Sequence, residues 1–222
     1  MWKGGGISVM ILFLDGGYTQ TAGNEACAEL IQECTQKEAL VSVKIEENMD
    51  WNRVFRDLED ADAIVLAADV YLDSVPSFVL RFLEKVEQAV IGGESIGGRF
   101  YAVLYTELYE GEQTSVAMEV LKNFCVHANI IWGRGLGIGG NKIETLLRKD
   151  SFWGRLHKST SDFRTASLQE HALFIREKIQ GTDVYIKPEE VSRKGYIRKI
   201  NQKMKKSNRV KFAQNECKLQ KN

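Results

Sequence analysis

The chain holds only two prolines, Pro76 and Pro188, in 222 residues. It is also short of metal and disulfide chemistry. The four cysteines, Cys27, Cys34, Cys125 and Cys217, form no CxxC pair, which excludes a dense disulfide framework and suits a reducing, cytoplasmic setting. His127, His157 and His171 do not cluster with them, so zinc is not expected. Long apolar runs are missing as well. The longest, Ile7–Leu14, is far too short to span a bilayer and ends at Asp15. It lacks a small-residue cleavage site, so a signal peptide is not expected. What remains is an ordinary globular composition, 44% apolar and 27% charged, in a chain long enough for one sizeable domain.

Net charge is absent too, but the zero is a sum of opposites. Residues 1–186 carry 18 basic and 27 acidic side chains, whereas 187–222 carry 12 and 3. The sign changes at Pro188. This predicts a domain over 1–186 and a basic, partly helical tail over 187–222. No internal repeat or low-complexity segment interrupts either part.

Periodicity supplies the elements. "ISVMILFL" (7–14), "ADAIVLAA" (61–68) and "RFYAVLYT" (99–106) are apolar with little alternation, as in strands covered on both faces. "LVSVKI" (40–45) alternates like a partly exposed strand, and "NIIW" (129–132) reads as a fifth. Between them, helical spacing recurs at Cys27, Leu30, Ile31 and Cys34, and again at Trp51, Val54, Phe55 and Leu58. A long stripe from Val75 to Val90 has Ser74 as its expected N-cap and Pro76 in its first turn. Val116, Met118, Val120, Leu121, Phe124 and Cys125 mark a further helix, and 165–180 another; 150–164 reads as irregular. Strands alternating with helices predict a parallel sheet between helical layers with right-handed crossovers. Ligands of such sheets bind beyond the carboxyl ends of the strands.

The first of those loops is "DGGYTQTAGNE" (15–25). It leads from strand into helix, where free backbone N–H groups and the helix dipole suit a phosphate. Gly16, Gly17 and Gly23 allow close approach, and Thr19, Thr21 and Asn24 offer side-chain donors. A turn with a helix cap is the plain alternative. No Gly-Lys-Ser/Thr follows, so this is not a P-loop.

The second loop narrows the choice. "DAIVLAADVYLDSVPSFVLRFLEKV" (62–86) and "GGRFYAVLYTELYEGEQTSVAMEVLKNFCVHANIIWGRGLGIGG" (97–140) resemble the flavodoxin-like superfamily of NAD(P)H-dependent FMN reductases and quinone reductases. The resemblance covers roughly 6–145 and implies a three-layer sandwich with a five-stranded parallel sheet in the order 2-1-3-4-5. It further implies non-covalent FMN, hydride from NADH or NADPH, a small-molecule electron acceptor and a homodimer. Carried over by position, Gly17, Tyr18, Thr19, Thr21, Gly23 and Asn24 would hold the phosphate. Val70, Tyr71, Leu72 and Asp73 would edge or stack on the flavin ring. Thr106, Glu107, Leu108, Tyr109 and Gly111 would lie on its remaining side. The flavin would supply the redox chemistry, so no catalytic acid, base or nucleophile is assigned.

The chain also departs from that pattern. Where the family's first loop commonly has an arginine and ends on hydroxyls, this one has Thr19-Gln20 and ends Gly23-Asn24-Glu25, and Asp69 stands where proline is usual. These acids favour the alternative of a flavin-free binding or scaffold protein on the same fold. "GLGIGG" (135–140) fits G-x-G-x-x-G, yet it follows the last expected strand with no further parallel strand to complete a dinucleotide unit. A glycine-rich rim of the flavin pocket, or close packing, is the reading instead. Cys27 and Cys34 read as core. Phe152 and Trp153 read as anchors or a lid. In the tail, Tyr196, Ile200 and Met204 recur at i, i+4 among basic residues. Docking on the acidic body or a partner subunit is the favoured use. Contact with an anionic membrane is a weaker option, and no specific nucleic-acid binding is expected.

Overall fold

A computed structural model of the chain describes residues 9–17, 30, 39–140, 160–188 and 192–202. Six parallel strands form one sheet in the order β2-β1-β3-β4-β5-β6. In chain order these are β1 (Met10–Gly16), β2 (Ala39–Lys44), β3 (Ala63–Asp69), β4 (Arg99–Tyr105), β5 (Ile131–Ile138) and β6 (Val184–Ile186). The described helices are α1 (Trp51–Asp60), α2 (Ser77–Ile91), α3 (Ser115–His127), α4 (Thr160–Arg176) and α5, helical over 193–202. A 3-10 turn, Gly111–Thr114, leads into α3.

The sheet is buried on both faces, which is why its central strands read as unbroken apolar runs. Leu12, Leu14, Ile64, Leu66, Phe100 and Leu104 pack with α1, α2 and α3 on one side. Ile11, Phe13, Val65, Tyr101, Val103 and Ile138 pack with α4 and the helical residue Leu30 on the other. Trp51 extends the first core at its rim, 5.6 Å from Phe82, with the Lys85 ammonium 4.0 Å above its ring. On the second face the Tyr101 hydroxyl lies 3.0 Å from both the Phe174 and Ile179 carbonyl oxygens. Burial pushes that phenol up to about 12, so it remains a donor that ties the end of α4 to the sheet.

Several expectations shift. The sheet has six strands rather than five, because the short β6 adds to β5 after α4. β5 begins at Ile131 and runs on through "GRGLGI", so the first four residues of the 135–140 glycine motif belong to the strand and only Gly139 and Gly140 follow it. β6 also supplies the further parallel strand that the sequence reading lacked. Pro76, not Ser74, is the N-cap of α2, and its carbonyl accepts from the N–H groups of Val79 and Leu80. Residues 160–164, read as irregular, already belong to α4. Cys27, Cys34, Phe152, Trp153 and Met204 lie outside the described residues.

The glycines of β5 are there because neighbours occupy the space a side chain would need. A Cβ on Gly133 would sit 2.4 Å from the Tyr101 ring, one on Gly135 2.3 Å from Met118 Sδ, and one on Gly137 2.2 Å from Thr114 Oγ1. The pattern therefore records close packing. Asp183, just before β6, fixes the same edge: its carboxylate accepts from Trp132 Nε1 and the Gly135 N–H, and pairs with Lys122 at 2.6 Å.

Candidate functional site

Winding reverses between β1 and β3: the chain leaves β1 for β2 on one side, then crosses to β3 and runs to β6 on the other. The carboxyl ends of these two neighbours are the switch point of the sheet. Gly16 closes β1 there, beside Ala68 of β3. A Cβ on Gly16 would meet Val79 of α2 at 2.9 Å, so the strand ends hard against the helix. Gly17 follows, half-buried, its N–H donating to Asp15 Oδ1 at 2.9 Å. Tyr18, Thr19, Thr21, Gly23 and Asn24 lie outside the described residues.

At the end of β3, Val70 is buried and its N–H donates to the Tyr105 carbonyl, which keeps the exit of β3 against β4. Tyr71 and Ser74 then exchange both backbone hydrogen bonds across a two-residue turn. Its central residues, Leu72 and Asp73, have φ of 48° and 66°. This is a type I′ geometry, ordinarily the province of Gly, Asn and Asp. Asp73 accepts it readily, whereas a leucine there is strained. Leu72 is wholly exposed and Tyr71 about half exposed. The Leu72 and Asp73 N–H groups make no hydrogen bond among the described residues. A strained apolar residue and two available donors thus stand together at the switch point.

The loop after β4 is organised differently. Thr106 is buried; its N–H donates to the Ile138 carbonyl and its Oγ1 accepts from the Leu108 N–H. Glu107 and Leu108 face solvent. Gly111 is interior, and a Cβ on it would lie 2.4 Å from the Ile186 carbonyl oxygen and 2.5 Å from that of Gly137. Asp69, at the last position of β3, is 8% exposed.

Helix α5 was legible as an amphipathic stretch, but its exact seat was not. It packs on this third loop. Ser192 starts it by accepting from the Gly195 N–H. Tyr196 is buried, and its hydroxyl donates to the Glu107 carbonyl. Its ring centroid is 5.5 Å from that of Tyr109, whose own hydroxyl donates to the Pro188 carbonyl. Arg193 pairs with Glu110 at 2.6 Å. Four contacts therefore tie residues 107–110 to the chain beyond β6, three of them from α5. Sequence reasoning found the stripe through Tyr196 and Ile200, but Arg193 and Glu110 gave no signal beyond opposite charge. Among the described residues no group of acids, histidines and cysteines could hold a metal, and no helix is long and apolar enough to cross a membrane.

This strand order, with three described helices against one face and α4 against the other, defines a flavodoxin-like α/β sandwich. Solved structures share it. The chain is similar to a flavone reductase (11% identity, 86% of this chain and 70% of that one, TM-score 0.56). It is also similar to the NADH:FMN oxidoreductase EMOB in its apo form (10% identity, 78% and 91%, TM-score 0.56). A third likeness is an azoreductase from Bacillus anthracis str. Sterne (11% identity, 76% and 99%, TM-score 0.54). At these identities the likeness establishes the fold. No family model and no curated relative matches the sequence.

Proposed function

We propose that the protein is an FMN-binding oxidoreductase of the FMN and quinone reductase type, drawing hydride from NADH or NADPH for a small-molecule acceptor and acting as a homodimer. The observation that carries this reading is the Tyr71–Ser74 turn. It offers two backbone donors and an exposed Tyr71 face at the switch point, the features a polar-edged planar ring needs. The residues fit the ring edge of the cofactor. When bound, FMN supplies the two-electron chemistry.

The chain's own part is positional. Leu72 and Asp73 bind the polar edge through their N–H groups, Val70 holds the turn against β4, and Tyr71 covers the ring. Thr106, Glu107, Leu108 and Tyr109 bound the other side. Gly17 with Tyr18, Thr19, Thr21, Gly23 and Asn24 holds the phosphate, as the sequence resemblance implies. Among the family-matched positions Gly111 acts on the protein side, since its neighbours are β5 and β6.

A flavin-free scaffold is the competing reading, favoured by the buried Asp69 carboxylate at the end of β3. Titration of the full-length protein with FMN, followed by flavin fluorescence, separates the two. Saturable quenching, and bleaching of the bound flavin on adding NADH or NADPH, are expected. A protein that neither quenches FMN nor gains thermal stability in its excess belongs to the scaffold reading, because a ligand of the native state must stabilise it.

A further inference from the structure

Docked on the body, α5 turns one side inward and the other to solvent. The inner side is Arg193, Tyr196 and Ile200, held by the pair with Glu110, the bond to the Glu107 carbonyl and the packing of Ile200 on Tyr196. Lys194 and Arg198 stand two positions before and after Tyr196, about 160° around the helix from it. Both are exposed, and neither they nor Lys199 makes an ion pair among the described residues. Between Glu190 and Glu216 the sequence holds nine basic residues and no acid. Docking on the acidic body uses Arg193 and aims Lys194 and Arg198 away from it. A block of like charge held outward is a surface for a polyanion.

The seat of the helix narrows the choice of polyanion. A bilayer holds a basic helix that lends it an apolar face, but Tyr196 is buried and Ile200 packs beside it, so that face of α5 is occupied. Single strands stack their bases on exposed rings, and the outward side of α5 carries no ring. Beside its cations it carries the exposed amides of Asn201 and Gln202, donors of the kind that bind phosphate oxygens. A helix docked along one side offers a convex face about 10–12 Å across. The B-form major groove, about 12 Å wide, admits that shape, whereas the major groove of duplex RNA is too narrow for it. We infer that the outward side of α5, with the basic stretch that follows it in sequence, binds double-helical DNA through its phosphates without reading base sequence. The inference is independent of the flavin reading, since it uses none of the residues placed around FMN.

The test is fluorescence anisotropy of a labelled DNA duplex titrated with full-length, flavin-free protein from about 50 to about 200 mM KCl. Saturable binding is expected, alike for two duplexes of unrelated sequence, with the logarithm of the binding constant falling linearly against the logarithm of salt. Lys194→Gln/Arg198→Gln should make that line shallower by about 2 and weaken binding about tenfold or more at the lowest salt. Each single variant should make it shallower by about 1, and either one suffices if the double variant loses its native circular dichroism. Arg53→Gln/Arg56→Gln removes the same charge from exposed positions of α1 and should leave the slope as it was. Absence of saturable binding at the lowest salt overturns the inference. So does an unchanged slope in a folded α5 variant, or an equal loss in the α1 variant. Tighter binding to vesicles of phosphatidylcholine and phosphatidylserine, to a single strand or to an RNA duplex overturns it in favour of that surface.

Discussion

Alanine at Gly137 tests whether the glycines of β5 serve packing or a ligand. The new methyl group would lie 2.2 Å from Thr114 Oγ1, 2.6 Å from Tyr185 Cδ1 and 3.0 Å from the Gly111 carbonyl oxygen. None of these can retreat freely. Thr114 is fully buried and its hydroxyl donates to the Gly111 carbonyl at 2.8 Å, while Tyr185 is held in β6 opposite Gly137. Overpacking a core costs roughly 1–3 kcal/mol, and disturbing the Thr114 hydrogen bond adds about 1. A total of about 3 kcal/mol lowers Tm by roughly 6–12 °C in a chain of this length. Gly135→Ala is the control. Its methyl group meets Met118 Sδ at 2.3 Å and Asp183 Oδ1 at 3.1 Å. A thioether chain can swing aside, so about 1 kcal/mol, or roughly 2–4 °C, is expected. Thermal unfolding by circular dichroism at one scan rate reads both, and FMN titration of the same samples supplies the contrast. A Gly137→Ala protein with native Tm but weakened FMN would refute the packing argument and return these glycines to a flavin rim.

His171 is buried with no hydrogen-bond partner on either ring nitrogen among the described residues, and burial, aided by the Arg134 charge, pushes its pKa down to about 3. The unfolded chain takes up that proton near pH 6.5, so the stabilisation is complete above 6.5 and lost as pH falls toward 3, about 2 kcal/mol of it by pH 5. Urea midpoints between pH 7.5 and 5 should fall less steeply in His171→Phe; parallel slopes would show that another group titrates. Leu72→Gly relieves a left-handed leucine and should raise stability by about 1 kcal/mol while weakening FMN, a trade that urea unfolding and fluorescence titration read separately. Unchanged FMN affinity would show that the fixed geometry imposed by the Leu72 side chain plays no part, since the N–H donors of the turn remain in the variant. From the sequence alone, a Glu25 carboxylate placed about 6 Å from a phosphate dianion would repel it by roughly 1.4 kcal/mol in a water-like dielectric, so Glu25→Thr should tighten FMN about tenfold. An identical titration curve would remove that electrostatic argument.

The central strands were legible because burial on both faces leaves no polar residue to confuse the pattern: β3 and β4 were placed within about two residues by apolar runs alone. β5 was cut short for the opposite reason. Gly133, Gly135 and Gly137 read as lying beyond the last strand, since a sequence does not reveal that Tyr101, Met118 and Thr114 fill the places of their missing side chains. β6 has three residues, "VYI", too few for any period, and is held by Asp183 and Lys122 contacts distant in the chain. At the site, Pro76 and the run 70–74 announced a turn. Its type I′ form did not follow, because Leu72 contradicts the propensity for positive φ and only tertiary context holds it there.

The three ties between α5 and residues 107–110 carry a thermodynamic obligation. Whatever factor the seated helix imposes on a ligand touching that loop, the ligand must impose on the seating of the helix, since coupling between two binding equilibria is reciprocal. The start of the basic tail is thereby coupled to the loop after β4. Anything that captures the tail elsewhere would be felt as a change in affinity for whatever the loop after β4 binds, which under the proposed function is the flavin.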